Sequence, residues 1–477
     1  MGKTATVEAY HVLRNRMTRF WREMRQTLRG EEHDYTRGPL LGAVLLLAIP
    51  MVLEMCMESI FGVVDIYFVG RLGPEAVAAV GITESILTLV FATAVGLSSA
   101  AAAMVARRIG EGRTGDASKA AAQAIFLGGL ASVATAGVGF FYAEELLRLM
   151  GATDATIAIG AGYTRITFLA SITIYLLFLI NAIFRGAGNP ALSMRVLAVA
   201  NLVNIILDPL LIFGWGPFPE LGLEGAAIAT ALGRGSGVLY QLVLLFGPRG
   251  QIRVSVIDLR PMLSIIRGLV RVGWPGMLQF LISTASWLFV VRILANFGDA
   301  PLAGYTIALR IVVFAILPSW GLCSAAGTLV GQNLGAGKVE RAEKAVWLTG
   351  FINMLLMSSI SGLFLWIAPT LIGLFSDDPE VIRHGVDNLI WMSFSFPFMA
   401  YGMVASQGFN GAGDTVTPMW MNVGCYWLWQ LPLAWVLAVP AGYGPLGVFM
   451  ALGISEATRA MVGVFLFRRG TWKTRQI

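Results

Sequence analysis

The chain has 477 residues, 56% hydrophobic and only 13% charged, with a mean hydropathy of +0.72. Soluble domains carry about 25% charged residues, so composition excludes a soluble multidomain enzyme, a disordered chain and a soluble nucleic-acid binder. The net charge of +6 therefore calls for an explanation within a membrane protein.

Residues 1–38 form a basic leader to the first apolar run. Within it, Leu13, Met17, Phe20, Trp21, Met24 and Leu28 recur at helical spacing among six arginines. That pattern predicts an amphipathic helix over 8–29 on an anionic leaflet, with a poorly ordered basic tail as the alternative. A membrane span needs about 20 mostly apolar residues. Twelve such segments follow, over 40–69, 77–105, 120–141, 157–180, 191–213, 222–247, 265–297, 302–330, 345–372, 386–407, 418–440 and 445–467. Lys and Arg set topology, and 26 of the 34 basic residues fall in the termini and the even-to-odd loops. Both termini are therefore expected in the cytoplasm, with the chain in a prokaryotic inner (plasma) membrane. The positive charge then reflects topology, and no nucleic-acid partner is implied. Three cysteines (Cys56, Cys323, Cys425), all in apolar runs, give neither a disulfide framework nor a metal spacing.

A repeat appears at an offset of 225: residues 50–120 and 275–345 share 17 identities in 71 positions without a gap. Pro50 matches Pro275, Gly73 matches Gly298, Gly96 matches Gly321 and Gly110 matches Gly335. Six spans per half is an even number, so the halves share one orientation. The predicted fold is an all-α membrane protein of twelve transmembrane helices in two six-helix bundles, related by a pseudo-two-fold axis along the membrane normal. The N-lobe covers 39–247 and the C-lobe 265–468, joined by a cytoplasmic linker at 248–264 and followed by a tail at 469–477. Parallel repeats of this kind are typical of secondary transporters.

Ionisable residues inside spans are costly and mark function by default. Span 1 carries Glu54, Glu58 and Asp65, whose spacing places them on one stripe of the helix. Span 5 carries Asn201, Asn204 and Asp208, with Pro209 directly after. Pro50 and Pro209 are candidates for bending their helices. If Asp65 and Asp208 face each other, they could share a proton or clamp Na⁺ between oxygen ligands; the alternative is structural pairing with Arg234, Arg292 or Arg310. Glu54, Glu58 and the neighbouring Met55 are expected to line an N-lobe cavity, where the two acids would attract a cation. The C-terminal half has Gln279 and Val290 where the first has Glu54 and Asp65, so it lacks that chemistry. No paired histidines, nucleophile–base pair or metal-ligand set suggests an enzyme or a cofactor.

Several motifs carry a family resemblance. The run from Pro50 through Asp65 to Phe68-Val-Gly-Arg-Leu-Gly73 resembles the first span of the multidrug and toxic compound extrusion (MATE) transporters. So do Leu329-Val-Gly-Gln-Asn-Leu-Gly-Ala-Gly337, the Gly-Ala-Gly turns at 186–188 and 411–413, and Asn204-Ile-Ile-Leu-Asp208-Pro209. The resemblance covers roughly 40–468 and is nearest to the N-lobe-coupled, DinF-like branch. It implies an antiporter that exports amphipathic, often cationic compounds in exchange for H⁺ or Na⁺. Pro50 would then be the bend of span 1, and Asp65, Asn204 and Asp208, with a hydroxyl from Thr230, the cation site. Another branch couples through acids in spans 7 and 10, which this chain lacks. A flippase for lipid-linked precursors is the alternative, disfavoured by the few scattered intramembrane arginines. Membrane lipids are the expected surroundings, and a monomer is the default because one chain holds both halves.

Overall fold

The structure, a computed structural model, describes residues 18, 21–30, 33–247 and 250–477. Among these, ten helices are long and apolar enough to cross a membrane. Spans 1–3 are Leu40–Val69, Pro74–Gly110 and Thr114–Leu149; spans 5 and 6 are Pro190–Ile212 and Gly222–Phe246. In the second half, spans 7–10 are Leu263–Leu294, Asp299–Gly335, Val339–Gly373 and Pro379–Gly411, and span 12 is Pro445–Arg469. Span 4 consists of two helices, Asp154–Leu169 and Ser171–Ala187, bent by 43°. Span 11 is helical from Val416 to Ala438 but passes through a π-helical stretch, Val423–Gln430. The two six-helix bundles of the predicted fold are thus present.

The repeat has a structural reason at each matched glycine. Gly73 and Gly298 end a one-turn 3₁₀ segment after spans 1 and 7 with φ of 106° and 102°, a conformation that a side chain would resist. The other matched pairs lie where the lobes meet. A Cβ on Gly96 would stand 2.6 Å from the Gly273 carbonyl oxygen, and one on Gly321 2.7 Å from Met51 backbone. One on Gly110 would stand 2.0 Å from the Gln332 carbonyl oxygen, and one on Gly335 2.2 Å from that of Arg107. Span 2 therefore packs backbone to backbone on spans 7 and 8, and span 8 returns the contact on spans 1 and 2.

These contacts sit from mid-span to the end of the molecule that carries both termini, and hydrogen bonds reinforce them there. Thr328 and Gln332 of span 8 donate to the carbonyls of Arg185 and Gly186 in span 4, at 3.1 and 3.0 Å. The terminal segments add cross-braces. Met24 and Tyr35, each 2% exposed, pack with Leu47 of span 1 and Leu322 and Leu329 of span 8. Lys338 and Arg341 of the C-lobe bond the carbonyls of residues 35–38, while Asn189 of the N-lobe bonds that of Gly30. At the other terminus, Arg107 donates to the Arg475 carbonyl at 2.7 Å. The described part of the basic leader thus contacts both lobes. Residues 8–17, 19 and 20 of the predicted amphipathic helix lie outside the described residues.

Candidate functional site

Spans 5 and 6 approach closely because Gly233 leaves no room between them: a Cβ there would be 2.8 Å from that of Asn204. One turn earlier on span 6, Thr230 consequently comes within 3.4 Å of the Asn204 amide nitrogen. The same nitrogen donates to Asp208 Oδ1 at 3.1 Å, along one helix face. Asn204 and Asp208 are both fully buried, and Asn204 Oδ1 and Asp208 Oδ2 have no hydrogen-bond partner. Buried polar atoms are nearly always satisfied, and an unmet buried acceptor costs about 1–3 kcal/mol. Asn204 and Asp208, one helical turn apart, thus each keep one buried oxygen without a partner.

Span 1 is held beside this group by Asn201, whose amide donates to the Met57 carbonyl at 2.8 Å. Asp65 stands half-buried on span 1, near enough for its charge to act on Asp208. Arg234, one turn beyond Thr230, lies 5.2 Å over the Phe61 ring. Its charge acts on Glu58, Asp65 and Glu84. Arg310, from span 8 of the other lobe, acts on Glu84 as well. The structure therefore brings Asp65, Asn204, Asp208 and Thr230 into one region, with Glu58 further along the same helix.

Glu54 does not join them. It is 1% exposed, and Arg185 of span 4 bonds its Oε1 at 2.6 Å. The expectation that it lines an open cavity is corrected by a partner from the last turn of span 4, where the chain turns back at the terminus-bearing end. Met55 is half-buried, and Ser59 bonds its carbonyl. Pro50 is buried and Pro209 half-buried, each inside a helix that continues past it; each deprives one carbonyl of its usual amide partner.

Sequence reasoning missed Arg185 as the partner of Glu54; Arg234 was among the arginines offered as structural partners of the intramembrane acids, and its charge does act on Glu58, Asp65 and Glu84. The offset of 225 could have found Arg185. Arg185 corresponds to Asn410 and Glu54 to Gln279, and Gln279 does bond Asn410, at 3.2 Å. It also missed a C-lobe ion pair, Arg459 to Glu456 at 3.0 Å. Among the described residues, no three His, Cys, Asp or Glu side chains are grouped to hold a metal ion.

The comparisons agree with this architecture. The family model described as MatE matches residues 50–210 and again 275–436, which is the internal repeat found twice. The chain is 27% identical over 441 residues to "Probable multidrug resistance protein NorM" of Thermotoga maritima, covering 91% of this chain and 93% of the relative. It is 25% identical over 446 residues to "FAD transporter" of Shewanella oneidensis, covering 92% and 97%. A solved structure described as the outward-facing conformation of a multidrug resistance MATE family transporter superposes with a TM-score of 0.86 at 25% identity, covering 94% of this chain and 98% of that one. With the family model matched in both halves of an all-helical membrane fold, the chain belongs to the MatE family of integral membrane transport proteins.

Proposed function

We propose that this protein is a secondary active efflux antiporter, exporting amphipathic, often cationic compounds in exchange for H⁺ or Na⁺. The observation that carries this reading is the pair of unpartnered oxygens, Asp208 Oδ2 and Asn204 Oδ1, buried beside Thr230 and within electrostatic reach of Asp65. A proton or Na⁺ bound there neutralises charge in the N-lobe and alters the relative stability of the two access states. Moving such an equilibrium from 1:99 to 99:1 needs roughly 5.5 kcal/mol of differential affinity, an amount more suited to a coupled carboxylate pair than to one exposed acid. Pro50 and Pro209 mark the points where spans 1 and 5 bend as occupancy changes. Glu58 and Met55 line the path of the cationic substrate.

The close inter-lobe packing at the terminus-bearing end supports a state closed on that side; the excess of basic residues in its loops supports placing that side in the cytoplasm, the protein lying in a prokaryotic inner membrane. A single chain contains both lobes and acts as a monomer. The relatives named for multidrug resistance favour a broad substrate range over one fixed solute.

Ethidium efflux from proteoliposomes tests this reading, first under an imposed pH gradient and then under an imposed Na⁺ gradient. Efflux driven by one of them supports the antiporter and identifies its ion. Efflux driven by neither refutes it.

A further inference from the structure

The C-lobe contains a polar site of different character. Among spans 7, 8, 10, 11 and 12 lies a cavity of ≈ 50 Å³ whose lining includes Trp287, Tyr305, Asn388, Gln430 and Glu456. Asn388 and Gln430 are each 1% exposed, and Asn388 Oδ1 and Gln430 Nε2 have no hydrogen-bond partner. Their place on one cavity wall follows from local structure. Gln430 ends the π-helical stretch of span 11, a geometry that recurs at functional sites. Trp427 anchors that stretch by donating to the Ile282 carbonyl at 3.1 Å.

The charge beside the cavity is already compensated. Glu456 Oε2 accepts from Arg459 at 3.0 and 3.2 Å, and its Oε1 accepts the Tyr426 hydroxyl at 2.9 Å. Arg459 is 8% exposed and lies 5.5 Å over the Tyr426 ring. No free carboxylate is left to recognise a cation. What remains is one unmet acceptor and one unmet donor beside two aromatic rings. A cavity this small holds a single polar group, since even one water needs about 10–15 Å³. Trp287, 39% exposed, forms part of the wall nearest the surface.

We propose that Asn388 and Gln430 form a C-lobe subsite for an uncharged hydrogen-bonding end group of the transported molecule, a hydroxyl or primary carboxamide on an aromatic ring. Its use in transport rests on the export reading above; its binding chemistry does not. The group enters the cavity, donating to Asn388 Oδ1 and accepting from Gln430 Nε2, while the ring stays at its mouth against Trp287, the more exposed of the two aromatic lining residues. The lobes thus divide recognition: the N-lobe responds to charge, and the C-lobe to hydrogen-bonding pattern.

The test uses the full chain in lipid nanodiscs and the quencher 4-nitrobenzamide, with 4-nitrotoluene as the control that lacks the amide. The signal from Trp287 is isolated by difference against Trp287→Phe. The expected result is saturable quenching by 4-nitrobenzamide alone, its dissociation constant raised about tenfold in Asn388→Ala and in Gln430→Ala, in line with the loss of one buried hydrogen bond. Should either variant fail to fold, Ile316→Trp, which fills the cavity from its wall, is expected to abolish saturation. Equal affinity in wild type and variants overturns the proposal, as does an absence of saturable quenching in wild type, which would leave the cavity to water only. Saturable binding by a protein that fails to export ethidium would refute the export reading and leave the subsite standing.

Discussion

Arg185 reaches from the last turn of span 4 to Glu54 in span 1, 2.6 Å between Nη1 and Oε1 and 131 residues apart in the chain. The second half repeats the contact in neutral form between Asn410 and Gln279. One geometry thus joins spans 1 and 4 and spans 7 and 10, and only the N-lobe version is ionic. Breaking a buried pair by removing one partner costs about 3–5 kcal/mol, because the other charge is left alone. Arg185→Ala should therefore lower the unfolding midpoint in detergent sharply. The double variant Glu54→Gln with Arg185→Asn, which installs the C-lobe pair, should recover most of that loss. A double variant as unstable as Arg185→Ala would show that the ionic character itself is needed for stability.

The approach of the lobes predicts a steric consequence. Gly110→Ala places a methyl 2.0 Å from the Gln332 carbonyl oxygen, so backbone must move. The substitution should open the terminus-bearing end and shift the protein away from the state described here. Thr328→Cys, at a position 5% exposed, reports on this change: maleimide labelling should be slow in the Thr328→Cys single variant and faster once Gly110→Ala is added. Unchanged labelling would mean the contact can adjust without opening.

The docked leader should loosen when its C-lobe anchor is removed. Arg341 bonds the carbonyls of Tyr35, Arg37 and Gly38, and Arg341→Ala eliminates all three bonds. Trypsin should then cleave after Arg37 faster than in wild type, while the membrane-embedded spans stay protected. Equal cleavage rates would show that Met24 and Tyr35 packing suffices to hold the segment.

Thr230 and Asn204 give a more graded prediction. Thr230→Val removes a hydroxyl 3.4 Å from the Asn204 amide but keeps the side-chain shape. If the hydroxyl is a ligand of the coupling ion, ion-dependent efflux should require about tenfold more ion, the equivalent of 1.4 kcal/mol. Thr230→Ser should behave as wild type. Identical ion dependence in Thr230→Val would remove the hydroxyl from the site.

Much of this was legible in the sequence. Runs of about 20 apolar residues mark the spans because lipid tolerates little else. The 225-residue register survives because Gly96, Gly110, Gly321 and Gly335 sit where the lobes leave no space for a Cβ. Asn204 and Asp208 could be grouped because four residues are one helical turn. Glu54 was misplaced since its partner lies in another span, among arginines that also set topology. The π-helical stretch of span 11 has no periodicity that distinguishes it from an ordinary apolar helix. The C-lobe pair was overlooked because Glu456 and Arg459, three residues apart, neutralise each other within one span.

In the proposed function, the buried Asp208 site converts an ion gradient into uphill export. Its most direct test is concentrative ethidium transport by wild type and Asp208→Asn in proteoliposomes, with gradient-free ethidium exchange measured on the same preparations. Asp208→Asn should retain exchange but no longer concentrate ethidium under the gradient that drives wild type. Concentration by Asp208→Asn equal to wild type would contradict this role.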